Sequence, residues 1–479
     1  MILDYEPKKV FNFFEKICSI PHGSGNISLI SDYLVEFANE RGLDVKRDES
    51  GNVIIFKAGT QGYEQAEPVI LQGHMDMVAV KEAWVTKDMS KEGLDLETDD
   101  DFISAKGTSL GADDGIAVAY MLAILDSEDI KHPPIEALFT VDEEIGMLGA
   151  TALDCSTLKG KKLLNIDSED EGVFTVSCAG GAIAKCILPY RMEPVVSSVV
   201  EIRIEGFKGG HSGSEIIAES ANANIVMGRI LLNLFQNIGM RLMILNGGEK
   251  DNSIPVLSEC AIAVHSDQKD NAIRIINETF EEVKDEYKYT DPDLRVITNA
   301  MEEGVADAFT SNASLAAVVM LSNFPNGVQK REPGMDNQVR TSLNLGKIRT
   351  EQETLEFTFL VRSSKESEKR YLIEKLKSIT EIFGGSVEVS GNYPGWEYRS
   401  ESKLRDILVQ EYVDLFGKQP RVEGIHAGLE CGIFAGKIKD LDVVSIGPQM
   451  YDIHTTRERL SIASTQRTWK LILNTLEKI

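Results

Sequence analysis

The chain has 479 residues, more than one hydrophobic core usually serves, so two domains are expected. A hydrophobic fraction of 42% beside 26% charged residues is that of a globular protein, and 76 acidic against 50 basic residues give a formal charge of −26. Such an excess repels phosphate backbones and argues against nucleic acid as a partner, and no apolar run approaches the roughly 18 residues of a membrane span.

Asp4, Glu6, Lys8 and Lys9 precede any apolar run, a start that does not read as a signal peptide. Helical spacing then runs through Val10, Phe13, Phe14 and Ile17, predicting a helix over Pro7 to Ile20. A second helix is predicted over Ser28 to Arg41, stopped by Gly42. Short strands follow at Val53 to Phe56, Val69 to Leu71, Ile135 to Val141 and Leu163 to Ile166, with a helix over Gly115 to Leu125 between the second and third. Strands alternating with helices predict an α/β catalytic domain with a mixed, mostly parallel sheet.

The pattern changes after Cys178-Ala-Gly-Gly181. Strands are predicted at Val195 to Ile204, Glu259 to His265 and Glu356 to Arg362, and helices at Ala221 to Gln236 and Asp270 to Tyr287. This reads as an inserted α+β domain. The first domain resumes with a helix over Leu404 to Phe416 and a buried strand at Val443 to Ile446. The expected organisation is therefore 1–190 and 391–479 for the catalytic domain and 191–390 for the insertion. Six cysteines, Cys18, Cys155, Cys178, Cys186, Cys260 and Cys431, lack CxxC spacing and read as reduced, buried thiols of a cytoplasmic protein.

The acids and histidines with chemical meaning stand where these strands end. His74 and Asp76 follow one strand, Glu143 and Glu144 another, Asp167 a third, and His454 lies beyond a fourth. Asp113 and Asp114 form a tight turn before a helix. In open α/β sheets, ligands bind beyond the carboxyl ends of strands. Each segment taken alone also fits a solvated turn or a helix cap. Together, His74, Asp113, Glu144, Asp167 and His454 supply two imidazoles and three carboxylates with no thiolate, a set suited to zinc, manganese or cobalt. Five ligands exceed the three of a catalytic zinc, and a carboxylate bridging two ions about 3.5–4 Å apart accommodates the surplus. Asp76 has the spacing to orient the His74 imidazole. On an extended chain Glu143 and Glu144 point in opposite directions, one to hold a cation and the other to accept a proton from water. Spacing by itself does not decide their order.

Gly73-His-Met-Asp-Met-Val78, Leu110-Gly-Ala-Asp-Asp-Gly115, Val141-Asp-Glu-Glu-Ile-Gly146, Leu164-Asn-Ile-Asp-Ser-Glu-Asp170 and Lys208-Gly-Gly-His-Ser-Gly213 resemble, in order, segments of the aminoacyl-histidine dipeptidases. These belong to the aminoacylase/glutamate-carboxypeptidase clan of metallopeptidases. The likeness runs from about residue 10 to 470 and includes Ile425-His-Ala-Gly-Leu-Glu-Cys-Gly432. It implies a zinc-peptidase catalytic domain with two divalent ions, most often zinc, and an inserted lid domain supporting a homodimer. It implies His74 and Asp167 on one ion, Glu144 and His454 on the other, Asp113 between them, Glu143 as general base and Asp76 as orienter. His454 is preferred to His426 as the last ligand. A cis peptide after the bridging aspartate, here Asp113-Asp114, is a further implication, although Asp114 stands where relatives often carry Asn.

By the same resemblance, His211 in the insertion donates to the developing oxyanion, Asn252 contacts substrate, and Arg362 fixes the substrate's terminal carboxylate. His426, in a glycine-rich loop of the catalytic domain, lines the specificity pocket. The expected reaction is hydrolysis of unblocked dipeptides, Xaa-His among them. An N-acyl-amino-acid deacylase or carboxypeptidase on the same scaffold is the second reading, and a non-catalytic binding protein the third.

Overall fold

A computed structural model describes residues 5–99 and 101–479; Asp4 lies outside the described residues. The chain divides into two compact units, one formed by 1–177, 396–424 and 429–479 and the other by 178–395 and 425–428.

The first unit is built on an eight-stranded sheet. From one edge its strands are Asp44–Arg47, Val53–Lys57, Ile135–Thr140, Val69–His74, Lys162–Asn165, Asp442–Ser445, Val173–Cys178 and Arg421–Ile425. The four central strands pair in parallel, and the flanking pairings of Asp44–Arg47 with Val53–Lys57, Val53–Lys57 with Ile135–Thr140, and Asp442–Ser445 with Val173–Cys178 are antiparallel. Val69–His74 and Ile135–Thr140 are buried at every position, as strands covered on both faces must be, which is why they read as continuous apolar runs. The helix Ala112–Leu125 lies against Val69–His74 and is buried at nearly every position, so no polar stripe marks it in the sequence. A four-stranded sheet joins Leu96–Thr98 and Phe102–Ala105 to Arg459–Ser461 and Met450–Tyr451, fixing the segment that carries His454.

The second unit is a nine-stranded antiparallel sheet with helices Ala223–Asn237, Lys269–Glu286, Ser311–Asn323 and Glu366–Ile382. One apolar core unites these helices with the inward faces of the strands. The Asn222 side chain caps the first helix by accepting from the amides of Asn224 and Ile225. Arg295–Phe309 forms an edge strand that sequence patterning did not reveal. It is exposed along most of its length, and its pairing with Met192–Glu205 rests on backbone hydrogen bonds rather than on an apolar repeat.

The strand Gly180–Pro189 is paired on both sides within the second sheet, ahead of the boundary expected near 190. A second difference concerns His426. The sequence assigns its loop to the catalytic domain, but Ile425–Gly428 groups with the second unit. The Ala179 amide donates to the carbonyls of Ile425 and Ala427, tying the loop there. All six cysteines are buried, and none is in a disulfide. Among the described residues no helix is long and apolar enough to cross a membrane.

One buried side chain secures the turn that carries Glu143 and Glu144. Asn52 accepts from the Val141 amide at 3.1 Å and donates to the Gly149 carbonyl at 3.0 Å. Asn52→Ala leaves both backbone groups without that partner and is expected to destabilise the first unit by about 2–4 kcal/mol. Urea denaturation followed by tryptophan fluorescence checks this.

Candidate metal centre and active site

The parallel sheet sets the first group of functional side chains side by side. His74 ends its strand in register with Thr140, and Glu143 and Glu144 lie in the turn just beyond. Asp167 follows Lys162–Asn165 by two residues, and Asp113 stands in the first turn of Ala112–Leu125. His454 reaches the group from the loop before Arg459–Ser461, with a left-handed backbone at φ 60°.

Asp113 is the shared member. Its Oδ1 lies 3.0 Å from His74 Nε2, and its Oδ2 lies 3.1 Å from His454 Nε2. His74 Nε2 is also 3.3 Å from Asp167 Oδ1, and His454 Nε2 is 2.9 Å from the Glu144 carboxylate. Two overlapping groups able to hold a cation result: His74, Asp113 and Glu144, and His74, Asp114 and Asp167, with ligand atoms within 4.8 Å of one another in each. Asp114 differs in kind from Asp113. It is wholly buried, its Oδ2 accepts the His74 amide at 3.2 Å, and a Cβ on Gly73 would fall 2.5 Å from that oxygen. The Asp113–Asp114 peptide is cis.

Glu143 and Glu144 do not stand on an extended strand, as the sequence had implied, but in a turn. The strand ends at Thr140, Asp142 adopts φ 53°, and the amides of Gly146 and Met147 close a turn on the Glu143 carbonyl. Asp76 organises this turn, because its carboxylate accepts the Glu143 amide at 3.0 Å and the Glu144 amide at 3.4 Å. The same carboxylate lies 3.5 Å from His74 Nδ1, and the Asp76 carbonyl lies 3.0 Å from that nitrogen. One acid therefore holds both the imidazole and the turn.

Two buried acids of this unit went unnoticed in the sequence. Glu458 accepts from the amides of Leu110, Gly111 and Ala112 at 2.7, 3.0 and 2.8 Å, clamping the turn that presents Asp113. Glu430 lies beneath the strand ends, accepting from Gln72 at 2.6 Å and Thr140 at 2.7 Å. Glu430 lies in the family-like segment Ile425 to Gly432, but nothing local shows the contacts of either acid, since their partners are 290 to 358 residues away.

The second unit gathers a different set. Arg362 is 5% exposed, and its guanidinium donates to the Tyr393 hydroxyl at 3.2 Å, with His211 Nε2 at 3.5 Å. His426 Nε2 lies 2.7 Å from the Ser342 hydroxyl. Burial, and then the Arg362 charge, push the His426 pKa down to about 3 and also lower that of His211, so both rings are neutral near pH 7. Asn252 is exposed, and its carbonyl accepts the Ser212 amide, which joins its loop to that of His211.

Comparison with known proteins places this arrangement. Residues 70–478 match the family model described as peptidase family M20/M25/M40. The chain belongs to that family. It is 35% identical over 475 residues to the cytosol non-specific dipeptidase of Escherichia coli strain K12, covering 99% of this chain and 98% of the relative. The crystal structure of aminoacylhistidine dipeptidase from Vibrio alginolyticus superimposes with a TM-score of 0.96 at 36% identity, covering 100% of this chain and 98% of that one. An aminopeptidase from Bacillus cereus shares the fold at a TM-score of 0.57 and 16% identity over 99% of each chain.

The charge balance of this M20 peptidase chain fits divalent cations. Among the described residues, Asp113, Glu144 and Asp167 have histidines, and no lysine or arginine, within ion-pair distance. Burial raises the Asp167 pKa to about 8, with Asp113 and Glu143 adding to the rise and His74 opposing it. Burial likewise raises Glu143 to about 8, helped by Glu430, Glu144 and Asp113. Hydrogen bonds to Asp113 and Glu144 raise His454 to about 10. Burial alone would lower His74, but Asp167, Asp113 and Asp76 outweigh it and the pKa rises. Without cations, protons supply the missing positive charge.

A carboxyl raised in the fold stabilises it below the unfolded pKa and loses that contribution as pH climbs through the folded value; a raised histidine behaves alike. Cation-free protein should therefore lose stability as pH rises from about 4 through about 8 as Asp167 and Glu143 lose their protons, and further towards about 10 as His454 does. Divalent cations should bind more tightly at about pH 8 than at about pH 6 with release of protons. Titration calorimetry in buffers of unlike ionisation heat measures that release; uptake without it contradicts the assignment. Glu458→Gln should weaken cation affinity about tenfold by loosening the Asp113 turn, as read in the same titration.

Proposed function

We propose that this chain is a di-metal dipeptidase that hydrolyses the amide bond of unblocked dipeptides, Xaa-His dipeptides among them. The observation that carries the reading is Asp113, one oxygen toward His74 and the other toward His454, with Glu143 held beside it by Asp76. The two most similar proteins described above carry dipeptidase names, one non-specific and one for aminoacyl-histidine.

In this reading His74 and Asp167 would hold one ion and Glu144 and His454 the other, with Asp113 placed to serve both. The donor set of imidazole and carboxylate suits zinc, with cobalt or manganese as substitutes. Bound ions supply Lewis acidity at the scissile carbonyl and at the attacking water. Glu143 accepts the proton of that water as its oxygen attacks the carbonyl carbon, and delivers the proton to the leaving amine. Asp76 keeps the His74 ring and the Glu143 turn in fixed relation. In the second unit, neutral His211 donates to the developing oxyanion, Arg362 binds the terminal carboxylate, and Asn252 and His426 shape the remaining pocket. We further assign the protein to the cytoplasm and the second unit to lid and homodimer contacts; the buried, unbridged cysteines are in keeping with a reducing compartment.

Glu143→Ala should retain two divalent ions by metal analysis yet lose turnover by roughly 10²–10⁴-fold. Near-normal turnover in that variant overturns the assignment of the base. Free-amine dipeptides set against N-acetylated amino acids, each with zinc, manganese and cobalt after chelation, decide between a dipeptidase and a deacylase. Silence across the whole panel in metal-replete protein points to the binding-protein reading.

A further inference from the structure

Tyr393, the last residue of the edge strand Ser386–Tyr393 of the second sheet, is assigned no role by the family segments. Arg362, Gly181 and Tyr393 form one row across three adjacent strands: Arg362 pairs with Gly181, and Gly181 with Tyr393. The register slips between Ser390 and Tyr393, where three steps along Ser386–Tyr393 match only two along Gly180–Pro189, from Ile183 to Gly181. One extra residue in a strand re-aims every side chain beyond it. Here the bulge puts Tyr393 rather than Asn392 opposite Gly181.

The middle of the row has to be glycine. A Cβ on Gly181 would fall 2.5 Å from Tyr393 Cζ and 2.5 Å from its hydroxyl oxygen, so the ring occupies the space of the missing side chain. Passing over Gly181, the ring brings its hydroxyl to 3.2 Å from Arg362 Nη1. Its backbone is held as well. Lys369, wholly buried, donates from Nζ to the Tyr393 carbonyl at 2.6 Å and pairs with Glu366 at 2.9 Å. Burying a lysine is costly unless its charge is met, and this one is met partly by a tyrosine carbonyl.

Arg362 is the group this construction serves. It is nearly buried, its Nε has no partner, and among the described residues no carboxylate lies within ion-pair distance of it. A buried guanidinium in that state is stabilised by an incoming anion. Because the Tyr393 hydroxyl accepts from Nη1, it fixes the rotation of the guanidinium plane, and its own proton remains available to a second acceptor.

We propose that Tyr393 is a positioning residue for carboxylate recognition, locking the Arg362 guanidinium so that it grips the C-terminal carboxylate of a dipeptide. This rests on the reading of Arg362 as the carboxylate anchor. The test measures kcat and KM for an unblocked dipeptide and for the C-terminal amide of the same dipeptide, in wild type, Tyr393→Phe and Arg362→Ala. Tyr393→Phe keeps the ring over Gly181, and matching thermal unfolding confirms that the fold is retained.

Tyr393→Phe is expected to raise KM for the acid about tenfold while leaving kcat, and KM for the amide, within about twofold. Arg362→Ala is expected to abolish the preference for acid over amide. Equal losses on acid and amide in Tyr393→Phe mean general packing and overturn the inference. Unchanged KM for the acid in that variant, with the preference lost in Arg362→Ala, removes Tyr393 and leaves Arg362 in place. A preference intact in Arg362→Ala removes the anchor reading itself, and the inference with it.

Discussion

Carboxylates confined at the ends of parallel strands repel one another, and that repulsion is the constraint from which the first unit's design follows. Asp113, Glu144 and Asp167 face two imidazoles and no lysine or arginine among the described residues. Interaction between like charges is strong where water is scarce, so the cluster must hold protons or dications. Raised values for Asp167, Glu143 and His454 are the protonated solution. Cation binding is the alternative, and the imidazole–carboxylate donor set favours it.

Much of the surrounding structure serves to hold that unstable arrangement still. Asp76 spans a histidine and a turn, Glu458 gathers consecutive amides under Asp113, and Glu430 braces Gln72 and Thr140 beneath the strand ends. Each of these acids accepts hydrogen bonds from groups whose own positions matter, so the charge that costs free energy to bury also sets geometry. Asn52 performs the same task without charge, through two backbone groups near the Glu143 turn.

The second unit poses the opposite electrostatic problem. Its buried Arg362 lacks an acid, and its two nearby histidines are kept neutral by burial and by that same positive charge. An anion brought to Arg362 would meet this need, as a cation would meet that of the first unit. The bulge before Tyr393 is one of several register shifts in that sheet, and the glycine beneath the Tyr393 ring leaves the space that the ring occupies.

Local pattern was enough for the elements whose apolar period is clean. The helices Ser28–Glu40 and Lys269–Glu286 and the strands Val53–Lys57 and Val69–His74 lie within about three residues of their expected limits, because burial left a helical period in the helices and short apolar runs in the strands. Arg295–Phe309 was not legible, since an exposed edge strand carries no such period. His74, Asp113, Glu144, Asp167 and His454 stood out as polar residues interrupting apolar strand ends, and the resemblance to known peptidases gave them an order. Which oxygen of Asp113 faces which histidine, how a turn rather than a strand separates Glu143 from Glu144, and the grouping of His426 with the second unit came only from the folded chain. Glu458, Glu430 and the row of Arg362, Gly181 and Tyr393 are likewise products of long-range contact. The sequence by itself determined the inventory of donors and the fold class, because residue type and period are local quantities. Tertiary structure alone decided their pairing, because distance between residues hundreds apart is set by strand register and by the turns between strands.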